Sequence, residues 1–261
     1  MDSLKVLFVG NSFSEDTVEY MVDIAMALGI SAPKVCNLYV GGCSIDMHYA
    51  NASGDLPVYK LFTNEGGGWH SKDKIRMSEA LQGDEWDYIV IQHGTNNGAR
   101  YTSPECYDRL TLLINYIKEL AAGNPKIAFN LTWMGESTRQ HHEIISYKGD
   151  VSLMREKLIE VTRDVVLTNP LVDLLIPAGT AIENARTSDI GLLTRDCYHL
   201  SMDKGRFIAA LTAVASITGI SVDDIAFVPE GVDDYSLKVA IESVNNALKR
   251  PLEVTKSKIY K

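Results

Sequence analysis

Four short stretches carry residue types that can do chemistry together. The first is Gly10-Asn11-Ser12-Phe13-Ser14, which follows an apolar run and precedes a helical pattern, so Ser12 stands at a strand-to-helix turn. A serine at such a turn is lifted off the sheet and faces the free N–H groups and positive potential of a helix N-terminus. Its plainer role, open equally to Ser14, is to cap that helix. The GxSxG spacing of a nucleophile elbow is not met, because Ser14 stands where the second glycine would be. The second stretch is Gly41-Gly42, a pair that lets backbone approach a ligand and point an N–H at it, or simply makes a tight turn. The third is Gln92-His93-Gly94-Thr95-Asn96-Asn97, where an asparagine amide can donate to a developing oxyanion or only build a polar turn. The fourth is Asp196-Cys197-Tyr198-His199. Its carboxylate can hold an imidazole tautomer while the other ring nitrogen meets a serine hydroxyl. An Asp-x-x-His alone is a weak signal.

These stretches gain weight from the elements that must position them. Short β-rich runs at residues 6–9, 35–40, 88–92, 127–133 and 172–176 alternate with longer segments of helical period. That alternation predicts a parallel sheet wrapped by helices. Val18, Met21, Val22 and Ala25 keep helical spacing after Ser12, and Gly29 marks the stop. Further helices are expected at 103–122, 151–167, 204–218 and 234–249. Between the second and third strands, residues 49–86 do not read as a simple crossover. Gly66-Gly67-Gly68 suggests a hairpin or loop excursion there, followed by a short helix at about 77–81. The expected fold is a single α/β domain over 1–261, a flavodoxin-like three-layer α/β/α sandwich on a five-stranded parallel sheet. A helical extension follows residue 219, with an amphipathic stripe of Leu237, Ile241, Val244 and Leu248. Ligands bind such sheets at the C-terminal ends of the strands, where three of the stretches fall; the fourth lies in a late loop.

Composition removes several classes of function. Apolar residues at 46% and charged residues at 23% suffice to bury a core without disulfides or structural metal. A net charge of −9 with no Lys/Arg-rich run argues against a nucleic-acid partner and against an anionic membrane. Cys36, Cys43, Cys106 and Cys197 are scattered without a CxxC pair, so free thiols are expected and no zinc site. The run from Leu4 to Val9 is too short for the apolar core of a signal peptide. A cytoplasmic protein is therefore expected, or a periplasmic or secreted one if a leader has been removed. No apolar run approaches the roughly 18 residues that span a membrane.

In order and in spacing across nearly the whole chain, the four blocks resemble the signature blocks of the SGNH hydrolases, also called GDSL esterases. The residues that carry the likeness are Gly10-Asn11-Ser12-Phe13, Gly42, Gly94-Thr95-Asn96-Asn97 and Asp196-Cys197-Tyr198-His199. Pro177-Ala178-Gly179-Thr180-Ala181, with the stretch from Asp196 to Arg206, resembles in particular a bacterial branch of that superfamily. The resemblance implies a role for each residue. Ser12 would be the nucleophile and, through its N–H, the first oxyanion donor. Gly42 would donate its N–H and Asn96 its side-chain amide. His199 would be the general base and Asp196 the carboxylate that orients it. Two positions depart from the pattern: Asn11 and Asn97 replace the usual aspartates, which brace loops rather than perform chemistry. Gly41 in place of Gly42 is an alternative register for the second block.

Other residues have two readings each. His48 follows the glycine pair closely enough to reach the cleft, or is a surface or capping histidine. Trp133 either lines an acyl or sugar pocket or packs in the core, and Tyr198 is placed to shape the pocket rim. Arg195 can offset the acidic surface beside the site. His93 reads as a packed core histidine, and His141-His142-Glu143 lacks the HExxH spacing of a helical metal site. The expected function is a serine esterase that removes a small acyl group, O-acetyl on a carbohydrate foremost, through an acyl-enzyme and without a cofactor. A thioesterase or lysophospholipase would use the same residues. A non-catalytic carbohydrate- or small-ligand-binding module would keep the scaffold only. A phosphate- or flavin-binding protein lacks support, because neither a Walker loop nor GxGxxG follows the first strand. The oligomeric state is open.

Overall fold

The computed structural model describes residues 3–92, 104–136 and 150–260. Its strands are β1 (Ser3–Gly10), β2 (Ala32–Tyr39), β3 (Tyr59–Asn64), β4 (His70–Ile75), β5 (Tyr88–Gln92), β6 (Lys126–Asn130) and β7 (Leu174–Ile176). The α-helices among the described residues are α1 (Ser12–Val18), α2 (Met21–Ala27), α3 (Ile45–Ser53), α4 (Met77–Gln82), α5 (Leu110–Leu120), α6 (Val151–Val161), α7 (Ala178–Ala185), α8 (Lys204–Thr218) and α9 (Asp234–Lys249). None of the described helices is long and apolar enough to cross a membrane.

All seven strands join one sheet in the order β4-β3-β2-β1-β5-β6-β7. Five of them, β2-β1-β5-β6-β7, are parallel throughout. Numbered among themselves they run second, first, third, fourth, fifth, which is the flavodoxin-like order. The expectation of five strands is corrected to seven among the described residues: β3 and β4 form an antiparallel hairpin on the outer edge of β2. The glycine run at 66–68 marks the turn of this hairpin, as expected; its strands escape a pattern search because β4 reads His-Ser-Lys-Asp-Lys-Ile, almost wholly exposed, with no buried alternation. Charge on an outermost strand discourages pairing with another chain.

β1 shows why the parallel core is legible. Leu4, Val6 and Phe8 face one apolar cluster, Leu7 and Val9 the other. A strand covered on both faces is apolar at consecutive positions rather than at alternate ones. The first cluster is closed by α1, α2, α7, α8 and α9, with Phe207, Leu211, Val239 and Val244 among its members. The second is closed by α3, α4, α5 and α6, with Leu113, Ile114, Ile117 and Leu158. Leu237, Ile241 and Val244 of the α9 stripe thus pack on the α7 and α8 side of the same chain, whereas Leu248 is exposed.

Two local departures bear on the site. The single helix expected after Ser12 is broken at Glu19-Tyr20 into α1 and α2. There the Glu19 carbonyl accepts from Trp69 Nε1 and the Glu19 carboxylate from Arg206, tertiary partners that override a continuous helical period. The fourth strand ends at Asn130, three residues before the expected limit, and the chain continues as irregular backbone to Glu136. Gly179 at the start of α7 sits against that segment: a Cβ there would lie 2.0 Å from the Thr132 carbonyl oxygen.

Candidate active site

β1 and β5 are neighbours from which the chain departs in opposite directions, the place where such sheets open a crevice. α1 begins directly after β1. Its N-cap is Asn11, in extended conformation, whose Oδ1 accepts from Phe13 N at 3.0 Å. Ser12 is therefore the first residue inside the helix rather than its cap, and Ser14 is buried with its hydroxyl 2.8 Å from Asn37 Oδ1. Asn11 does more than cap. Its Oδ1 also accepts from Gln92 Nε2 at 2.8 Å, and its Nδ2 donates to the Cys43 carbonyl at 2.9 Å. One buried amide thus ties the Ser12 turn to the end of β5 and to the Gly41-Gly42 turn. In that turn Cys43 N donates to Val40 O at 3.2 Å, and Gly42 has φ +60°, a conformation that favours glycine.

The opposite wall is the turn that carries His199. Thr194 and Leu200 bridge its ends, and Arg195 N donates to His199 O at 2.9 Å. Asp196 Oδ1 accepts from the backbone N–H of Tyr198 at 3.0 Å and of His199 at 2.7 Å. Asp196 Oδ2 lies 2.6 Å from His199 Nδ1, and His199 Nε2 lies 2.9 Å from Ser12 Oγ. Burial alone would raise the Asp196 carboxyl. The hydrogen bonds from the His199 ring, the His199 backbone and Tyr198 outweigh it and hold the group below the usual aspartate value. An ionised carboxylate only accepts, so Nδ1 carries the proton, and Nε2 is left to accept from the Ser12 hydroxyl. The row can move a proton from Ser12 to His199 and hold the imidazolium that results.

Backbone bonds fix this turn to the segment after β6. Trp133 Nε1 donates to Tyr198 O at 2.9 Å, and Glu136 N donates to Cys197 O at 2.8 Å. Phe13 packs between Trp133 and Tyr198, with ring centroids 4.7 and 4.8 Å away, and the Tyr198 ring meets the His199 ring edge-on at 5.0 Å. Of the two readings of Trp133 the core one holds: it is 1% exposed, and its indole N–H donates to the His199 turn. Two further expectations are corrected here. Tyr198 is 9% exposed, so its ring supports His199 rather than forming a rim. His48 does not reach the cleft. It is buried on α3, with Nδ1 3.1 Å from the Tyr59 hydroxyl and its ring stacked on Tyr59. Burial pushes its pKa down to about 3, and burial pushes the nearby Cys43 thiol up to about 12.

Ser12, Asp196, His199 and the Gly42 turn are therefore brought to one place. Asn96 and Asn97 lie outside the described residues, as do His93 and His141-His142-Glu143. Among the described residues no group of three or more His, Cys, Asp or Glu could hold a metal ion. Sequence reading missed the reach of Asn11 to the glycine turn, and it missed Asp16, whose buried carboxylate takes Arg195 and Arg206 at 2.8 Å each. The available signal was the spacing: Asp16 lies four residues after Ser12 and so follows it along one helix face.

Sheet order, two helical layers and the placement of the Ser12 turn define an α/β protein of hydrolase-like fold. More narrowly, the chain belongs to the DUF4886 family, described as a domain of unknown function, whose model matches residues 5–247. A crystal structure of a DUF4886 family protein from Bacteroides uniformis is 32% identical, with a TM-score of 0.92 and full coverage of both chains. The fold is also similar to that of a variant of an acetyl xylan esterase from Geobacillus stearothermophilus, 16% identical with a TM-score of 0.50, over 84% of this chain and 97% of that one. A second variant of the same enzyme, described as an acetyl-xylooligosaccharide esterase, is 14% identical with a TM-score of 0.50, over 82% and 94%. No curated protein matches the chain.

Proposed function

We propose that this protein is a serine esterase of the SGNH type that hydrolyses a small acyl ester, O-acetyl on a carbohydrate foremost, through an acyl-enzyme. The observation that carries the proposal is the unbroken row Asp196–His199–Ser12, at 2.6 and 2.9 Å, between residues 187 positions apart in the chain. Ser12 Oγ attacks the ester carbonyl as His199 Nε2 takes its proton. The oxyanion is received by the N–H groups of Ser12 and Gly42 and by the Asn96 amide, each donor worth roughly 10²–10³ in rate. Collapse expels the alcohol, protonated by His199. Water then attacks the acyl-serine by the same route in reverse. The acetyl-carbohydrate preference is supported by the name of the one esterase of similar fold, an acetyl xylan esterase seen in two variants.

The test is labelling with a fluorophosphonate probe, together with Ser12→Ala measured on aryl acetate, butyrate and octanoate esters. Labelling at Ser12, and a loss in the variant on the order of 10⁴-fold or more, are expected. Acetate is expected to turn over fastest. A folded wild type unlabelled at Ser12, or equal turnover by both proteins, overturns the proposal. A preference for octanoate overturns the small-acyl part alone.

A further inference from the structure

Ser12 and His199 sit on separate elements, so something must hold those elements in register. The His199 turn is closed internally, through Arg195 N to His199 O and through the bonds to Asp196. Those bonds set its shape but do not place it against α1. Asp16 does. It lies one turn along α1 from Ser12, and its carboxylate is fully buried. Its Oδ1 accepts from Arg195 Nη1 at 2.8 Å and its Oδ2 from Leu200 N at 2.8 Å, so it grips the residues on both sides of the 196–199 turn. Arg195 Nη1 also donates to Leu200 O at 2.5 Å. Arg206 of α8 completes the cluster, with Nε 2.8 Å from Asp16 Oδ1 and Nη1 2.6 Å from Glu19 Oε2. Two carboxylates thus face two guanidiniums. A charge-balanced, hydrogen-bonded cluster holds a fixed geometry better than an apolar contact, which slides.

We propose that Asp16 and Arg195 are positioning residues that clasp the His199 turn onto α1 and set the Ser12 Oγ to His199 Nε2 separation. The inference rests on the reading of Ser12 as nucleophile. It assigns the pair no contact with substrate, so its signature is a loss of turnover without a loss of binding. Displacement of reacting groups by about 1 Å costs on the order of 10²-fold in rate.

The experiment compares Arg195→Met, Arg195→Lys and Asp16→Asn with wild type, at a temperature well below each melting point. Arg195 is the gentler site, because it is one-third exposed and Arg206 still faces Asp16 when it is replaced. Arg195→Met is expected to lose roughly 10- to 100-fold in kcat with KM within about threefold, and its fluorophosphonate labelling of Ser12 should slow in parallel. Arg195→Lys should recover most of both, since one ammonium can donate to Asp16 and to the Leu200 carbonyl as the single Nη1 does. Wild-type kcat and labelling in Arg195→Met, even with a lowered melting point, would mean that the cluster is only structural and would overturn the inference alone. A Lys variant as slow as the Met variant would also overturn it. Wild type that is neither labelled nor active overturns the reading of Ser12, and the inference with it. Should Asp16→Asn fail to fold, the two Arg195 variants carry the result.

Discussion

Replacing Asn11 by aspartate installs the residue that the SGNH pattern carries beside the serine, yet in this chain it should be harmful. The Asn11 side chain is fully buried and makes three bonds: Oδ1 accepts from Phe13 N and Gln92 Nε2, and Nδ2 donates to Cys43 O at 2.9 Å. The partners fix the amide's orientation, since a backbone N–H needs an acceptor and a carbonyl needs a donor. Aspartate keeps the two accepted bonds but turns an oxygen toward the Cys43 carbonyl. Either it is ionised and two oxygens face each other without a proton, or it is protonated and the bond is restored. At pH 7 the second choice means holding a proton about 3 units above the ordinary aspartate pKa of about 3.9, a cost of about 4 kcal/mol. That is a ceiling, because an ionised carboxylate keeps the favourable bonds from Phe13 and Gln92. A loss of roughly 2–4 kcal/mol is expected, which in a chain of this length lowers the melting point by roughly 5–15 °C. The sign with pH follows from linkage. The folded-state pKa of the new carboxyl is raised above its unfolded value, so the deficit is full above the folded pKa and shrinks as pH falls toward 4. Urea unfolding of wild type and Asn11→Asp at pH 7.5, 6 and 5 measures it. Equal stability at pH 7.5, or a deficit that grows on acidification, would refute the role given to the Asn11 to Cys43 bond.

Two further outcomes are expected. Asp196→Asn should leave KM within a few-fold and lower kcat on the order of 10³–10⁴-fold, read by steady-state kinetics on an aryl acetate. Because the wild-type carboxyl is held below its ordinary value, the stability it contributes is present above about pH 4 and is lost as pH falls through the lower folded value. Unfolding curves of the two proteins should therefore converge in acid. His48, with its pKa pushed down to about 3 by burial, should show ring-proton NMR shifts that stay flat between pH 5 and 8. The unfolded chain takes up that proton below about pH 6.5, so stability should decline on acidification through this window. His48→Gln should flatten the decline, and a His48 that titrates near 6.5 would contradict its burial.

How much of this was legible depends on the length scale at which each feature is encoded. The parallel strands were readable because burial on both faces forces consecutive apolar residues, and α8 and α9 because their limits coincide with Gly219 and with an acidic N-cap at Asp233. The hairpin was legible only as an excursion at Gly66-Gly67-Gly68, not as two strands of the sheet, because its outer strand is held by backbone bonds while its side chains are exposed and charged. The break at Glu19-Tyr20 was not, because Trp69 and Arg206, which impose it, are distant in sequence. Trp133 and His48 were ambiguous for a related reason. An amphipathic ring satisfies a core with one hydrogen bond or a cleft with one face, and sequence gives no burial.

The site itself was readable from its residues as four blocks, and its roles only through their resemblance to a known pattern. Serine, glycine, asparagine and aspartate are all turn residues, so each block alone fits an ordinary loop. What changes the reading is a division of labour that only coordinates reveal. Had Ser12 capped α1, its oxygen would be occupied by a backbone N–H and its direction set by the helix. Asn11 takes that duty, at 3.0 Å to Phe13 N, and leaves the Ser12 hydroxyl to His199. The asparagine that departs from the SGNH pattern is thus the residue that leaves the Ser12 hydroxyl unengaged by the helix N-terminus. It also draws the Gly41-Gly42 turn to the same corner of the sheet. An ionised aspartate could cap equally well but could not donate to Cys43. In this chain, then, the amide couples the Ser12 turn to the glycine turn, and substitution at Asn11 should disturb the two together.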